Sequence, residues 1–329
     1  MSRVGVGADA GARSGQRPTR DGSLEEPHQR LDLGAHVMPF EDAHAARAAG
    51  IAMIYQELNL ALHLSVEDNI ATPLRVAGMD RAEIGRRVGK AAELLRLTPM
   101  LKRRPSELSG GQQQRTAIAR AIVKDSDVIL FDEPLANLDY KLREELRDEL
   151  PKLFADRKCV VVYATTEPGE ALLFGGNTAT MHEGRITQFA PTLQGYRKPK
   201  DLISATVFSD PPINTHAATK RGNEVILSGG LTWPAGKAAM SIPDGEYTLA
   251  VRPHHVTTAV PSAVSGTVDG RVLITEISGS ESIIHFALGD KTWVSQSHGI
   301  HRLALGSQTR LHVDVDQILY FGANGELVG

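Results

Sequence analysis

Leu108-Ser109-Gly110-Gly111-Gln112 sets a hydroxyl and two adjacent glycines at the start of an amphipathic run, Gln113 to Lys124. Glycines at a helix start let main-chain N–H groups come close to an anion. The helix dipole adds partial positive charge there, and Ser109 adds a donor hydroxyl. A second candidate closes the apolar run Val128-Ile129-Leu130-Phe131, which ends in Asp132 and Glu133. Carboxylates at the C-terminal end of a buried strand lie where open α/β sheets bind ligands. Asp132 there suits a Mg2+ ion, held directly or through water, and Glu133 suits the positioning and polarising of an attacking water. Gln56 ends another apolar run, Ile51 to Tyr55. An amide in that place can touch a cation and its water together.

The elements needed to position these groups follow from patterning. Ile51–Tyr55, Val128–Phe131 and Cys159–Ala164 are short, wholly apolar runs, as expected of strands covered on both faces. Between them, Val66 to about Pro105 has helical periodicity, with Val88, Ala91, Ala92 and Leu95 on one stripe and Arg and Lys opposite. The run from Leu142 to Phe154 reads as a charged-surface helix that Pro151 should kink or end. Asn177 to Phe189 reads as two short strands around a Glu183-Gly184 turn. Strands alternating with helices predict an α/β domain with a largely parallel sheet. Composition changes near Pro199, and the rest alternates in short strands broken by Gly, Pro, Asn and Asp, as in a small β-barrel. Residues 1 to 48 show weak periodicity and no strand is assigned there.

Bulk properties narrow the classes. A length of 329 residues predicts two or three domains. No apolar stretch is long enough to span a bilayer, and no apolar h-region marks a secretory signal at the start. A net charge of −3 gives no general attraction to nucleic acid, and the β region lacks the aromatic and basic strips that single strands require. The one cysteine, Cys159, excludes an intrachain disulfide and is expected to be a buried core residue in a reducing compartment. His254 and His255 lack nearby acid or cysteine partners, so they are not assigned to metal.

LSGGQ followed by QQR and an Ala-rich helix, with VILFDE next in order, resembles the signature and Walker B motifs of ABC-type ATPases. Pro134 to Asp139 (PLANLD) resembles their D-loop, with Asp139 facing a partner subunit, and Gln56 takes the place of their Q-loop glutamine. GIAMIYQELNL is more similar to ribose-type sugar importers, and the sequence after Asn69 to the maltose and glycerol-phosphate type. Val251-Arg252-Pro253-His254-His255-Val256 resembles the stretch that introduces the accessory TOBE domain of those importers. The resemblance covers about residue 50 to the end. It implies an ABC-type P-loop NTPase domain, incomplete at its N-terminus, with a helical subdomain at about 66–105 and a C-terminal all-β, OB-like TOBE domain. The expected division is 1–48 in place of the Walker A region, 49–198 as ATPase and 199–329 as TOBE-like. It further implies ATP and Mg2+ as cofactors. Ser109, Gly110, Gly111, Gln112 and Asp139 would bind nucleotide, Gln56 and Asp132 would hold Mg2+, and Glu133 would act catalytically with the residue at position 166. The expected partners are a second ABC ATPase subunit, membrane permease subunits and, indirectly, a solute-binding protein, with no nucleic acid. The expected location is cytoplasmic, peripheral on the inner face of the plasma membrane.

Two departures from the family pattern shape the expected mechanism. No G-x-x-x-x-G-K-[ST] loop precedes Gln56, and no lysine occurs before Lys90. That lysine is the point charge on the β- and γ-phosphates. Divergence and a damaged or mis-started gene product both account for the gap. The histidine expected after the last apolar strand is replaced by Thr166, within an ATTEP sequence similar to that of one branch of sugar importers. Threonine can donate a hydrogen bond but cannot become a cation. In this family, nucleotide is sandwiched between the Walker loops of one subunit and the LSGGQ of the other. The resemblance therefore implies an asymmetric dimer in which this chain supplies LSGGQ to a partner's site while its own site is weak. The competing readings are an ordinary homodimeric ATPase and a non-catalytic regulatory or docking subunit with a relic ATPase domain. DNA-repair ATPases share similar motifs, but the short helical region and lack of a coiled coil argue against them. The apolar segment Glu57 to Leu64, with Leu60 and Leu62, is a candidate for docking to the permease, along with the helical region.

Overall fold

The computed structural model describes residues 3–7, 30–33, 36–39, 51–54, 60–124, 126–136, 138–155, 159–261 and 264–329. The chain divides into two compact units. One comprises Val4–Thr166 and Glu170–Thr178; the other is Ala179–Gly329 together with Met1–Arg3 and Glu167–Gly169.

The first unit is built on the apolar runs. Strands β1 (Arg3–Gly7), β4 (Ile51–Ile54), β5 (Val128–Asp132) and β6 (Val160–Thr165) belong to one sheet, in the order β4-β5-β6-β1. β4, β5 and β6 are parallel, with Ile51 beside Val128 and Val128 beside Val160. Their β-branched and aromatic residues suit a covered pleat. Phe131 packs edge-on to Phe154 and near Tyr163, whose ring meets Phe174 at 4.7 Å between centroids.

β1 corrects the sequence reading, which assigned no strand before residue 49. It pairs antiparallel with β6, Val4 opposite Thr165 and Gly7 opposite Val162. A hairpin of β2 (Arg30–Leu33) and β3 (His36–Pro39) lies in the same stretch. These strands escaped notice because RVGVG and RLDL are short and Gly- or charge-bearing, which weakens the period-2 signal.

The helical region contains α1 (Val66–Val76) and α2 (Arg81–Leu94), capped by Ser65 and Asp80, whose side chains accept the N–H groups of the first turn. Val88, Ala91, Ala92 and Leu95 are buried, as the helical stripe requires. Next come α3 (Gly110–Ile122) and α4 (Tyr140–Ala155). The expectation that Pro151 would kink or end the latter is not met: Pro151 lies inside a helix that continues to Ala155. Buried Leu146 and Leu150 on its inner face hold it to the core, and that burial offsets one lost main-chain hydrogen bond. Cys159 is only half-buried, not a core residue, because it precedes β6 instead of lying within it. Helix α5 (Pro168–Phe174) follows β6.

The second unit carries the all-β region. β7 (Asn177–His182) and β8 (Arg185–Pro191) form the expected pair of strands, with Glu183 and Gly184 both left-handed at φ 48° and 76°. Two short helices follow, α6 (Thr192–Arg197) and α7 (Leu202–Val207). Two five-stranded sheets then share one core. The first holds β9 (Asn214–Arg221), β10 (Glu224–Leu227), β11 (Thr232–Pro234), β12 (Gly245–Val251) and β18 (Leu319–Phe321), in the order β11-β10-β9-β12-β18. The second holds β13 (Val256–Thr257), β14 (Ser265–Ile277), β15 (Glu281–Leu288), β16 (Lys291–His298) and β17 (Gln308–Asp314), in the order β13-β17-β14-β15-β16. Trp233, Trp293, Phe286 and Tyr320 fill the space between them. A Cβ at Gly266 would strike the Trp233 ring, and one at Gly270 would strike Phe286, so both positions need glycine for close approach. β9 was not assigned from sequence. Its buried positions are Asn214, His216, Ala218 and Lys220, so its alternation is structural without being hydrophobic.

Candidate functional site

Two clusters in the first unit hold the predicted residues. The first is the start of α3. Ser109 is its N-cap: its hydroxyl accepts the Gln112 N–H at 3.4 Å, and the Gln112 side-chain oxygen accepts the Ser109 N–H at 3.0 Å. This capping box uses the Gln112 N–H and leaves those of Gly110 and Gly111 without an intrahelical partner. Ser109 and Gly110 are exposed, and nothing lies within 4 Å of where a Gly110 side chain would be. Neither packing nor φ within the chain demands glycine there, and the helix start is left accessible to an anion from outside.

Three consecutive glutamines then face three ways. Gln112 caps the helix. Gln113 donates to the Pro105 and Leu108 carbonyls at 3.0 and 3.3 Å and so holds the preceding loop. Gln114 is buried and donates to the carbonyls of Glu133 and Pro134. Arg115 reaches back to the Leu95 carbonyl at 3.2 Å. Burial of its guanidinium lowers its pKa, and the charge of Asp139 opposes that shift.

The second cluster is the carboxyl edge of the sheet. Asp132 ends β5 beside Ala164, and the Glu133 N–H donates to the Ala164 carbonyl at 2.9 Å. Glu133 takes a left-handed φ of 45°, unusual for a residue with a Cβ. Such strain persists where surrounding bonds hold it, and it concentrates at functional sites. Thr166 follows β6 at the same edge and is exposed. The register therefore brings Asp132, Glu133 and Thr166 to one edge. Asp139 is exposed just before α4. Gln56 lies outside the described residues.

Sequence reasoning missed three residues here. Gln114 is one. Glu170 is another: it is buried, and its carboxylate accepts the hydroxyls of Thr165 at 2.6 Å and Tyr163 at 3.0 Å, which anchors the end of β6 next to Thr166. Asn69 is the third: it is buried on α1 and binds the Ala61 N–H and carbonyl and the carbonyls of Leu64 and Ser65. No periodicity marks a buried amide or acid, so only the tertiary contacts reveal them.

The two clusters differ in what they fit. The exposed start of α3 fits an anionic phosphate brought by another molecule. The carboxyl edge has a carboxylate pair, but β1 begins beside Thr165 and ends beside Val162. β1 thus ends at the edge opposite Asp132. Among the described residues no group of three or more His, Cys, Asp or Glu is placed to hold a metal. Mg2+ held through one or two carboxylates completes its shell with phosphate oxygens and water, so Asp132 fits that ion only when nucleotide accompanies it.

A sheet with carboxylates at its edge, an anion-ready helix start and a separate β unit define an ATP-binding cassette with an accessory barrel. The ABC transporter family model matches residues 15–136, and the TOBE domain model matches residues 249–322. The sn-glycerol-3-phosphate import ATP-binding protein UgpC of Escherichia coli (strain K12) is 37% identical over 282 residues, covering 85% of this chain and 79% of the relative. Its counterpart in Salmonella typhimurium (strain LT2) is 38% identical over the same length. A solved structure, the dimeric ATP-binding cassette MJ0796 bound to ADP and Pi, is 28% identical with a TM-score of 0.45, covering 51% of this chain and 76% of that one. The chain belongs to the ABC transporter family and carries a TOBE domain. The family match starts at residue 15, earlier than the motifs near residue 50 suggest.

Proposed function

We propose that this chain is the ATP-binding subunit that energises an importer of a carbohydrate, glycerol-phosphate or related solute. The similarity to glycerol-phosphate import proteins over most of both chains supports it. We further propose that the start of α3 completes a nucleotide site on a partner subunit, and that this chain's own site is weak. The observation that carries this is the contrast between the solvent-open start of α3 and β1, which ends at the edge opposite Asp132. The proposed division is 49–198 for the ATPase region and 199–329 for the TOBE-like region, although the family match begins at residue 15.

In this mechanism the first-turn N–H groups and the Ser109 hydroxyl bind the terminal phosphate of ATP held by the partner. These donors are fixed by the capping box before nucleotide arrives, so binding costs little reorganisation. Asp139 and the turn before it face the same partner. When bound, ATP supplies the closing energy that moves permease subunits between states. At this chain's own carboxyl edge, Asp132 would hold Mg2+ and Glu133 would orient water, with Thr166 able only to donate a neutral hydrogen bond. No helix among the described residues is long and apolar enough to cross a membrane, which fits peripheral attachment through permease subunits on the cytoplasmic face.

The test is ATPase activity of the chain co-purified with its partner subunit and permease. Ser109→Arg should abolish turnover, and Glu133→Gln should change it little. Equal loss from both would refute the asymmetry. Normal turnover and transport with Ser109→Arg would favour the regulatory reading instead.

A further inference from the structure

Gln114 is one of the most buried polar residues of the first unit, at 3% exposure. Its amide nitrogen donates to two consecutive carbonyls: that of Glu133 at 3.4 Å and, more closely, that of Pro134. Its side-chain oxygen is buried with no hydrogen-bond partner among the described residues. Leaving a buried acceptor unmet is costly, and the bonds to the two carbonyls have to offset that cost. What the amide gains in return is the link it makes.

The link joins two elements. On one side is α3, and Gln114 sits about one turn beyond Gly110. On the other is the turn Pro134 to Asp139, which starts from the left-handed Glu133. Its far end is held separately: Arg143 donates to the carbonyls of Ala136 and Leu138 at 3.3 and 3.5 Å. Pro134, Leu135 and Leu138 are buried, whereas Ala136 and Asp139 face solvent. The turn is thus clamped at both ends and presents Ala136 and Asp139 outward, as α3 presents Ser109 and Gly110.

We infer that Gln114 is a positioning residue that locks the Pro134–Asp139 turn to the start of α3, so that both surfaces this chain offers to a partner move as one body. This inference rests on the proposed reading that α3 completes a partner's nucleotide site. Within that reading, Gln114 touches neither nucleotide nor water. It sets the spacing between Ser109 and Asp139, and catalysis at the partner's site depends on that spacing because an error of about an ångström in placement costs up to about a hundredfold in rate.

The experiment uses the complex of this chain with its partner subunit and permease, and compares Gln114→Met with Gln113→Met and Ser109→Arg. Gln114→Met keeps volume, removes the donor and also removes the unmet acceptor. The expected result is a folded complex with a lowered thermal midpoint, because the two carbonyls lose their donor, kcat lowered by about tenfold or more, and KM for ATP within about twofold of the parent. Gln113→Met, which breaks only the hold on the Pro105 and Leu108 carbonyls, should leave kcat near the parent value. An unchanged kcat in a folded Gln114→Met complex overturns the inference. Should that variant fail to fold, Arg143→Met, which releases the Ala136 and Leu138 carbonyls at the other end of the turn, is held to the same kcat and KM criteria. Ser109→Arg separates the two claims. If it leaves turnover intact, the reading of α3 fails; if it abolishes turnover while Gln114→Met does not lower kcat, only the positioning role fails.

Discussion

Ser109 and Gln112 cap the same helix reciprocally, each side chain accepting the other's main-chain N–H. The pair spends its acceptors on the helix and so fixes the orientation of the Ser109 hydroxyl and the first-turn amides. Removing the acceptor with Ser109→Ala should cost about 1 kcal/mol of stability, and Gln112→Ala less, because the N–H it frees is solvated. Urea unfolding of the two variants checks the order. Ser109→Ala should also lower turnover of the complex, more mildly than Ser109→Arg, which adds bulk and charge at the same place.

Asn69 makes four hydrogen bonds that shape the turn from Ala61 to Ser65. Asn69→Ala leaves several of those groups unpaired in a buried place and should destabilise the chain by about 3 kcal/mol. Chemical denaturation measures this. Asn69→Asp should be nearly as harmful, since it replaces three donated bonds with a charge facing carbonyls.

Leu62 sits on the turn that Asn69 holds and is 68% exposed. A large apolar side chain held outward on a rigid turn fits a docking surface for the permease. Leu62→Asp, alone or with Leu60→Asp, should leave nucleotide-dependent dimerisation intact and reduce transport in vesicles several-fold. Undiminished transport by the double variant would remove this segment from the docking site.

Gly270 lies against Phe286 in the core of the β unit, where a methyl group has no room. Gly270→Ala should cost about 1–3 kcal/mol through overpacking. Gly78, with open space around it but φ at 71°, should lose stability for a different reason when changed to Ala, namely left-handed strain. Calorimetry on both variants compares the two costs.

His255 has its pKa pushed down to about 4, first by burial and then by the charges of His254 and Arg252. His254 is lowered by burial and by Arg252, and Glu281 opposes the shift. The folded state therefore prefers these rings neutral. With a folded pKa below the unfolded value near 6.5, the unfolded chain binds more protons in between. Stability should be fully present above about pH 6.5, fall as the pH drops toward 4, and fall no further through His255 below that. His255→Gln should flatten that slope in a series of thermal melts.

Much of this protein is written in its residue order. The apolar runs around Ile129 and Val162 specify parallel strands, although Val160, Val161 and Val162 are only half-buried and the expected cover on both faces is incomplete there. LSGGQ and the Asp132-Glu133 pair declare themselves because local spacing encodes both the helix start and the strand end. The stripe of Val88, Ala91 and Ala92 announces its helix by period alone. What the residue order does not encode locally was settled by packing. Pro151 stays helical because Leu146 and Leu150 bury the face it interrupts. β9 is a strand although its buried side chains are Asn, His, Ala and Lys. Gln114, Glu170 and Asn69 matter because distant main-chain and hydroxyl groups converge on them, and β1 points away from Asp132 because of its antiparallel register. Periodicity reports the environment of a face, whereas a single buried polar contact depends on where the rest of the chain comes to lie.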